Sequence, residues 1–213
     1  MKIIGITGGV GAGKTQILEY LNNKYGAGKT QILKYIEEHY SCRIIRADEA
    51  AHLLEEPGQE CYEQLVTLLG KEILQQDGMI DKAAMADRIF GNPQILEQVN
   101  AIIHPAVKQY ILEQINYEKK AQNAAFFFIE AALLIEEHYD EIVDELWYIH
   151  TDEAVRRQRL AQNRQYSDEK TASIMRGQLS EAEFRRHCKV VITNNGDLED
   201  TYQQINKIMG EQA

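Results

Sequence analysis

KIIGITGGVGAGKT, residues 2–15, carries a short apolar run into a glycine-rich turn and leaves it through Lys14 and Thr15. The spacing is Gly8-x-x-x-x-Gly13-Lys14-Thr15, with a strand pattern before it and a helical pattern after it. Each part has a physical reason. Glycines let successive backbone N–H groups turn inward as an anion nest, and the helix N-terminus adds its positive dipole end. Lys14 reaches the outer phosphates of a nucleotide, and the Thr15 hydroxyl ligates Mg²⁺. Gly8, Gly9, Val10, Gly11, Ala12, Gly13, Lys14 and Thr15 are therefore read as one phosphate-binding element.

The word is then repeated. Gly11–Tyr25 and Gly26–Tyr40 are fifteen residues each and agree at ten positions, GAGKTQIL included. The second copy lacks its feeding strand: LEYLNNKY precedes it, and Asn23 stands five residues before Gly28 where the nest wants glycine. GAGK at 26–29 therefore reads as a helix break inside a duplicated segment. In one continuous helix fifteen extra residues would add about 22 Å and leave the chain rotated by about 60°, so the following strand could not begin where it must. The insertion is expected to turn out as a helix–turn–helix broken at Gly26-Ala27-Gly28. The rival is a looped-out first copy, with the chain passing from Val10 to Gly26.

Outward from the loop, short apolar runs alternate with longer helical patterns, the mark of a parallel sheet wrapped by helices. Strands are expected at Lys2–Thr7, Arg43–Ala47, Ala125–Glu130, Glu145–His150 and Lys189–Ile192. Asn92-Pro93 reads as an N-cap with proline in the first turn, and Ser180-x-x-Glu183 as a capping box. The helical stretch at about 49–120 is longer than a crossover needs and should form a subdomain. The fold class is thus α/β, a P-loop NTPase fold with a five-stranded parallel sheet flanked by helices.

The chain has 213 residues and a net charge of −10, enough for one full core and the wrong sign for a nucleic-acid binder. The longest apolar run, AAFFFIEAALLI at 124–135, is interrupted by Glu130 and is too short to span a bilayer. MKIIGITGGV runs into the glycine loop with no cleavage signal, so no export segment is expected. The three cysteines are far apart with no metal-ligand spacing, and a reducing cytoplasm fits them. Charge is uneven, however: between Arg156 and Lys189 nine basic residues face four acidic ones. Such a segment suits a small, highly anionic ligand or a solvated helix face.

Ligands on such sheets sit at the carboxyl ends of the strands. Asp48 closes the second strand pattern, as a carboxylate that orients an attacking hydroxyl or as a helix cap. Glu130 closes the third, as a metal-side carboxylate or a buried one. No NKxD follows to read guanine, which disfavours a GTPase switch.

The residues resemble the dephospho-CoA kinase family along almost the whole chain, one fifteen-residue copy excepted. The likeness rests on ITGGVGAGKT (6–15), ADEAAHLLEEPG (47–58), DGMIDKAAMADRIF (77–90), NAIIHP (100–105), ALLIE (132–136), RLAQNRQYS (159–167), QLSEAEFRRHC (178–188) and VITNNG (191–196). Arg46, Ala132 and the duplication depart from the family pattern. The resemblance implies a chain that is one kinase domain over residues 1–213. Its core would be 1–48, 121–155 and 188–213, with the duplicated insertion at about 26–40, an acceptor-binding helical region at about 49–120 and a lid at about 156–187. It implies phosphoryl transfer from ATP with Mg²⁺ to the ribose 3′-hydroxyl of dephospho-CoA. Asp48 would be the general base, Arg88 and His104 acceptor-binding residues, Arg159 and Arg164 lid arginines, and Asn194-Asn195-Gly196 the turn around adenine. Plainer roles stay open: a surface pair for Arg88, a turn leading into a helix for His104-Pro105, a tight turn for Asn194-Asn195-Gly196. So do another small-molecule or nucleoside monophosphate kinase, and an ATP-binding protein disabled by the repeat.

Overall fold

The first strand is buried along five of its six residues, and the third along four of five, as continuous apolar runs covered on both faces must be. The structure is a computed structural model that describes residues 1–14, 42–164 and 166–210, the side chains of Asn163 and Arg164 excepted. Thr15, Lys29 and the second repeat at 26–40 lie outside the described residues. Five strands form one sheet: β1 (Lys2–Thr7), β2 (Cys42–Arg46), β3 (Phe126–Glu130), β4 (Glu145–His150) and β5 (Val190–Thr193). Their order is β2-β3-β1-β4-β5, with β1 parallel to both β3 and β4, and β4 parallel to β5. The expected strands are thus present, each end within one residue of its expected place.

Register is pinned at the bottom of the sheet by one carboxylate. Asp144, just before β4, accepts the Ile3 N–H at 2.7 Å while its own N–H donates to the Ile3 carbonyl at 2.9 Å. Above that anchor Ile6 pairs with Glu130 on one side and Trp147 on the other. The carboxyl ends of β1, β3 and β4 therefore finish side by side.

The helices, numbered among the described residues, are α1 (Ala47–Leu54), α2 (Glu60–Leu69), α3 (Lys82–Ile89), α4 (Pro93–Ala121), α5 (Glu153–Arg164), α6 (Asp168–Arg176), α7 (Glu181–His187) and α8 (Leu198–Gly210). The chain divides into two compact units, Met1–Ile44 with Gln122–Ala213, and Ile45–Ala121. In the first, Ile4, Ile6, Phe126, Phe128, Trp147, Ile149 and Ile192 pack with Ile205 and Met209 of α8. Phe128 meets Trp147 edge to face, 5.8 Å between centroids. Burying side chains of this size stabilises the fold by about 1.5–3 kcal/mol each. On Gly5 a Cβ would come within 2.6 Å of Leu146, so only glycine lets that side chain lie flat on the central strand.

The second unit has its own core of Cys61, Tyr62, Leu65, Leu69, Ile73, Ile80, Met85 and Val99. Leu74 and Ile80 form an antiparallel bridge around Asp77-Gly78, and Gly78 takes the positive φ of 85° that the turn requires. Asp81 then caps α3, accepting from the Ala83 and Ala84 N–H groups at 2.8 and 3.1 Å. A cap of this kind contributes about 1 kcal/mol. Asn92 caps the start of α4 through the Ile95 N–H at 3.2 Å, and the Ser180–Glu183 capping box opens α7.

Candidate active site

The glycine turn that leaves β1 is shaped by positions where a side chain is poorly accommodated. Gly8, Gly11 and Gly13 have φ of 152°, 78° and 86°. A Cβ on Gly8 would lie 2.7 Å from the Ile149 carbonyl oxygen, so the loop can rest on β4 only with glycine there. The Ala12 N–H donates to the Gly9 carbonyl at 3.2 Å, which tightens the turn. Lys14 folds back over it: Nζ donates to the Gly8 carbonyl at 2.9 Å and reaches the Gly9 carbonyl at 3.5 Å. The ammonium is therefore held across the loop, beside the backbone that would take the phosphates.

From below, the loop is fastened by its Ala12 carbonyl. Asn194 Nδ2 donates to that oxygen at 2.8 Å and Thr151 Oγ1 donates to it at 3.2 Å. Asn194 is fully buried, and its Oδ1 accepts from Thr201 Oγ1 at 3.1 Å. Its side chain thus faces the loop and α8, and its backbone is engaged as well, the N–H donating to the His150 carbonyl at 2.8 Å and the carbonyl accepting from Thr151 Oγ1 at 3.2 Å. Asn195 Oδ1 accepts the Asp152 N–H at 2.7 Å, joining the end of β5 to the end of β4. Gly196, next in the chain, completes the turn into α8.

From above, α5 crosses the loop. A Cβ on Gly11 would meet the Arg156 carbonyl at 3.1 Å and Leu160 at 3.3 Å. One on Gly9 would run into the Arg156 guanidinium. Gln178 Oε1 accepts the Val10 N–H at 3.2 Å. Arg159, one turn on from Arg156, is half-buried, and its Nη1 is sealed from water without a hydrogen-bond partner. The Arg164 backbone ends α5, and its side chain is outside the described residues. Glu130 is half-buried at the carboxyl end of β3, opposite Ile6 in register and so two residues from Gly8.

The remaining predicted residues belong to the second unit. Asp48 is exposed in the first turn of α1, where the N-cap position is held by Arg46; its Oδ1 accepts the Glu49 N–H at 3.1 Å. Asp48 is thus not the N-cap residue, although its side chain satisfies one free N–H of the first turn. Arg88 is exposed in the last turn of α3. His104-Pro105 lies inside α4 rather than in a turn leading to it. Arg156, Gln178 and Thr151 were not marked as site residues by their local sequence. The signals available were the basic run for Arg156 and the QLSEAEFRRHC motif for Gln178.

A parallel sheet with a glycine loop leaving its first strand, a lysine over that loop and a carboxylate at the carboxyl end of its third strand defines a nucleotide-dependent phosphotransferase of the P-loop class. The family model described as dephospho-CoA kinase matches residues 22–200, and the chain belongs to that family. The dephospho-CoA kinase of Shouchella clausii (strain KSM-K16) is 28% identical over 99% of this chain and 98% of its own length. That of Carboxydothermus hydrogenoformans is 30% identical over 98% of this chain and 93% of its own. The crystal structure of TT1252 from Thermus thermophilus shares the fold at a TM-score of 0.76, 24% identity, and coverage of 100% of this chain and 98% of that one. The family match begins past the first GAGKT and takes in the second, whereas the two kinases match across nearly the whole chain.

Proposed function

We propose that this chain transfers the γ-phosphate of ATP to the ribose 3′-hydroxyl of dephospho-CoA, giving coenzyme A. The observation that carries the reading is the chain-long likeness to dephospho-CoA kinases. The glycine loop at Gly8–Lys14, with Lys14 folded over it, supports the donor half of the reading. The loop amides and Lys14 would hold the outer phosphates, Arg159 and Arg164 would close over them, and the turn Asn194-Asn195-Gly196 would pack around adenine. Arg88 and His104 would take the acceptor. Asp48, exposed on α1, would accept or orient the hydroxyl proton.

The donor groups suit Mg²⁺. Among the described residues no cluster of three or more His, Cys, Asp or Glu could cage a metal. Mg²⁺ asks for none, since it keeps several waters and takes one or two protein oxygens beside the substrate phosphates. Glu130 at the end of β3 and the Thr15 hydroxyl are hard oxygen donors of that kind. Bound there, the ion would neutralise charge on the transferring phosphoryl group. The chain's own part is positioning and exclusion of water, which strengthens each charge contact in the site. A cytoplasmic setting suits the reading: the three cysteines are free, and no described helix is long and apolar enough to cross a membrane.

The test is a phosphoryl-transfer assay with dephospho-CoA beside a panel of nucleosides and nucleoside monophosphates. Dephospho-CoA is expected to be phosphorylated far better than any of them. Robust turnover of AMP or CMP with none of dephospho-CoA would overturn the acceptor, and ATP binding without turnover of anything would mark a disabled site.

A further inference from the structure

The basic segment touches the phosphate loop through two side chains that the assigned roles leave out. Arg156, in the first turns of α5, lays its guanidinium against Gly9, where a Cβ would collide with Nη1. Gln178 comes from the turn after α6, and its Oε1 would sit 3.2 Å from that same Cβ. This one oxygen gathers two donors, the Val10 N–H at 3.2 Å and Arg156 Nη1 at 3.5 Å. The Arg156 Nε is sealed from water and has no hydrogen-bond partner.

A backbone N–H of the loop and a guanidinium converging on one oxygen form a donor pair suited to an anion. The acceptor now between them is neutral. A phosphate oxygen in its place would make charge-assisted bonds, about twice as strong and closing to about 2.7–2.9 Å. The 3.5 Å separation from Arg156 leaves room for that shortening. We infer that Arg156 is a phosphate-binding residue of the donor site, and that the Gln178 amide oxygen is a placeholder which cedes the Val10 N–H and the Arg156 guanidinium to an outer phosphate oxygen of the nucleotide. The inference rests on the proposed function only in taking the donor to be a nucleoside triphosphate. The simpler role, a fixed brace in which Gln178 and Arg156 merely pack the loop, predicts different behaviour.

The experiment compares wild type with Arg156→Met, Arg156→Lys and Gln178→Ala. ATP affinity is measured by calorimetry, AMP affinity by competition against ATP, and kcat and KM are measured with dephospho-CoA. Losing a hydrogen-bonded charge contact costs about 1.5–3 kcal/mol, so Arg156→Met should weaken ATP about 10- to 150-fold. AMP, which lacks the outer phosphates, should change less than about threefold on the same reasoning. Lysine keeps the charge and loses the fork, so Arg156→Lys should fall between the two. Gln178→Ala removes the competitor and should leave ATP binding equal or tighter.

Equal weakening of ATP and AMP by Arg156→Met, or no weakening of either, overturns the inference. So does a loss of ATP affinity in Gln178→Ala, which is what a brace predicts. If Arg156→Met does not fold, Arg156→Lys decides by the same ATP-to-AMP contrast. Wild-type turnover separates the two readings. The expected binding pattern without phosphorylation of dephospho-CoA sinks the acceptor alone, and normal turnover with an indifferent Arg156 sinks this inference alone.

Discussion

The Ala12 carbonyl is where the phosphate loop is tied to the rest of the fold, and its two fasteners can be removed one at a time. Asn194→Ala deletes the 2.8 Å bond to that oxygen and the acceptor for Thr201. Neither partner is orphaned: Thr151 still reaches Ala12 at 3.2 Å, and Thr201 still reaches the Thr193 carbonyl at 3.3 Å. Two ordinary hydrogen bonds at about 0.5–1.5 kcal/mol each, with a small void left by the carboxamide, give a loss of about 2–3 kcal/mol. In a chain of this size that lowers Tm by about 4–12 °C. Thr151→Val deletes the hydroxyl bonds to the Ala12 and Asn194 carbonyls and should cost about 1–2 kcal/mol.

The double variant is the sharper test. With both fasteners gone the Ala12 carbonyl loses both bonds the side chains gave it, a penalty of about 1–3 kcal/mol that neither single variant suffers. The double should therefore lose more than the sum of the singles, and KM for ATP should rise with it because Ala12 lies in the nest. The assay is denaturant and thermal unfolding of the four proteins, with ATP kinetics alongside. Additivity within about 0.3 kcal/mol, the behaviour of independent sites, would refute the shared anchor.

Asp48→Asn should lower kcat by about 10²–10⁴, the contribution of a positioned base, with ATP affinity nearly unchanged; wild-type turnover would make it a spectator. Lys14→Ala should abolish measurable transfer while Lys29→Ala changes it little, and a chain lacking Gly26–Tyr40 should stay active. A dead Lys29→Ala would give the working role to the second copy. Arg164→Ala should reduce turnover more than it weakens ATP binding, because a lid arginine meets the phosphates most closely in the reacting state; unchanged kcat with wild-type ATP affinity would return it to a solvated face. On the alkaline side, burial pushes the Cys188 and Cys42 thiols from an ordinary 9.0 up to about 12. Burial, then Glu137, raises the Tyr139 phenol from 10.0 to about 12. These groups keep their protons in the folded chain at pH values where the unfolded chain has lost them. Stability should thus be whole below about pH 9 and fall as pH rises towards 12. Urea midpoints that stay level or climb from pH 8.5 to 11 would contradict this.

The strands were legible because burial on both faces writes itself as unbroken apolar runs. KIIGIT and FFFIE leave little choice, and ELWYIH carries its polar residues only at its two ends, the half-buried positions. Helix starts were legible where a side chain caps its own chain three residues on, as at Asn92 and Ser180. Strand order was not, since an apolar run records that a strand is covered and not which strand lies beside it. The bridge between Leu74 and Ile80 was hidden for a related reason: two residues are too few to show a period, and only Asp77-Gly78 marked the turn.

What the sequence concealed at the site has one common cause. Ala12 is held by residues 139 and 182 positions away, and Val10 by one 168 away. In each case a side chain acts on a peptide group, and every residue offers the same peptide group. A motif can be recognised when side-chain identity carries the proposed chemistry, as proposed for Lys14. A threonine, asparagine or glutamine that grips a carbonyl or an N–H needs only reach, so nothing around it in the chain marks the role. Glycine is the exception that leaves a trace from both directions. Gly8 has to be bare for the Ile149 carbonyl and Gly11 for the Arg156 carbonyl, while Gly9 lies against the Arg156 guanidinium and Gln178, so the same letters that suggest a nest for phosphate also record how closely the rest of the fold presses on it. Reading those glycines as contact points as well as turn formers would have led from GITGGVGAGK to β4, α5 and Gln178.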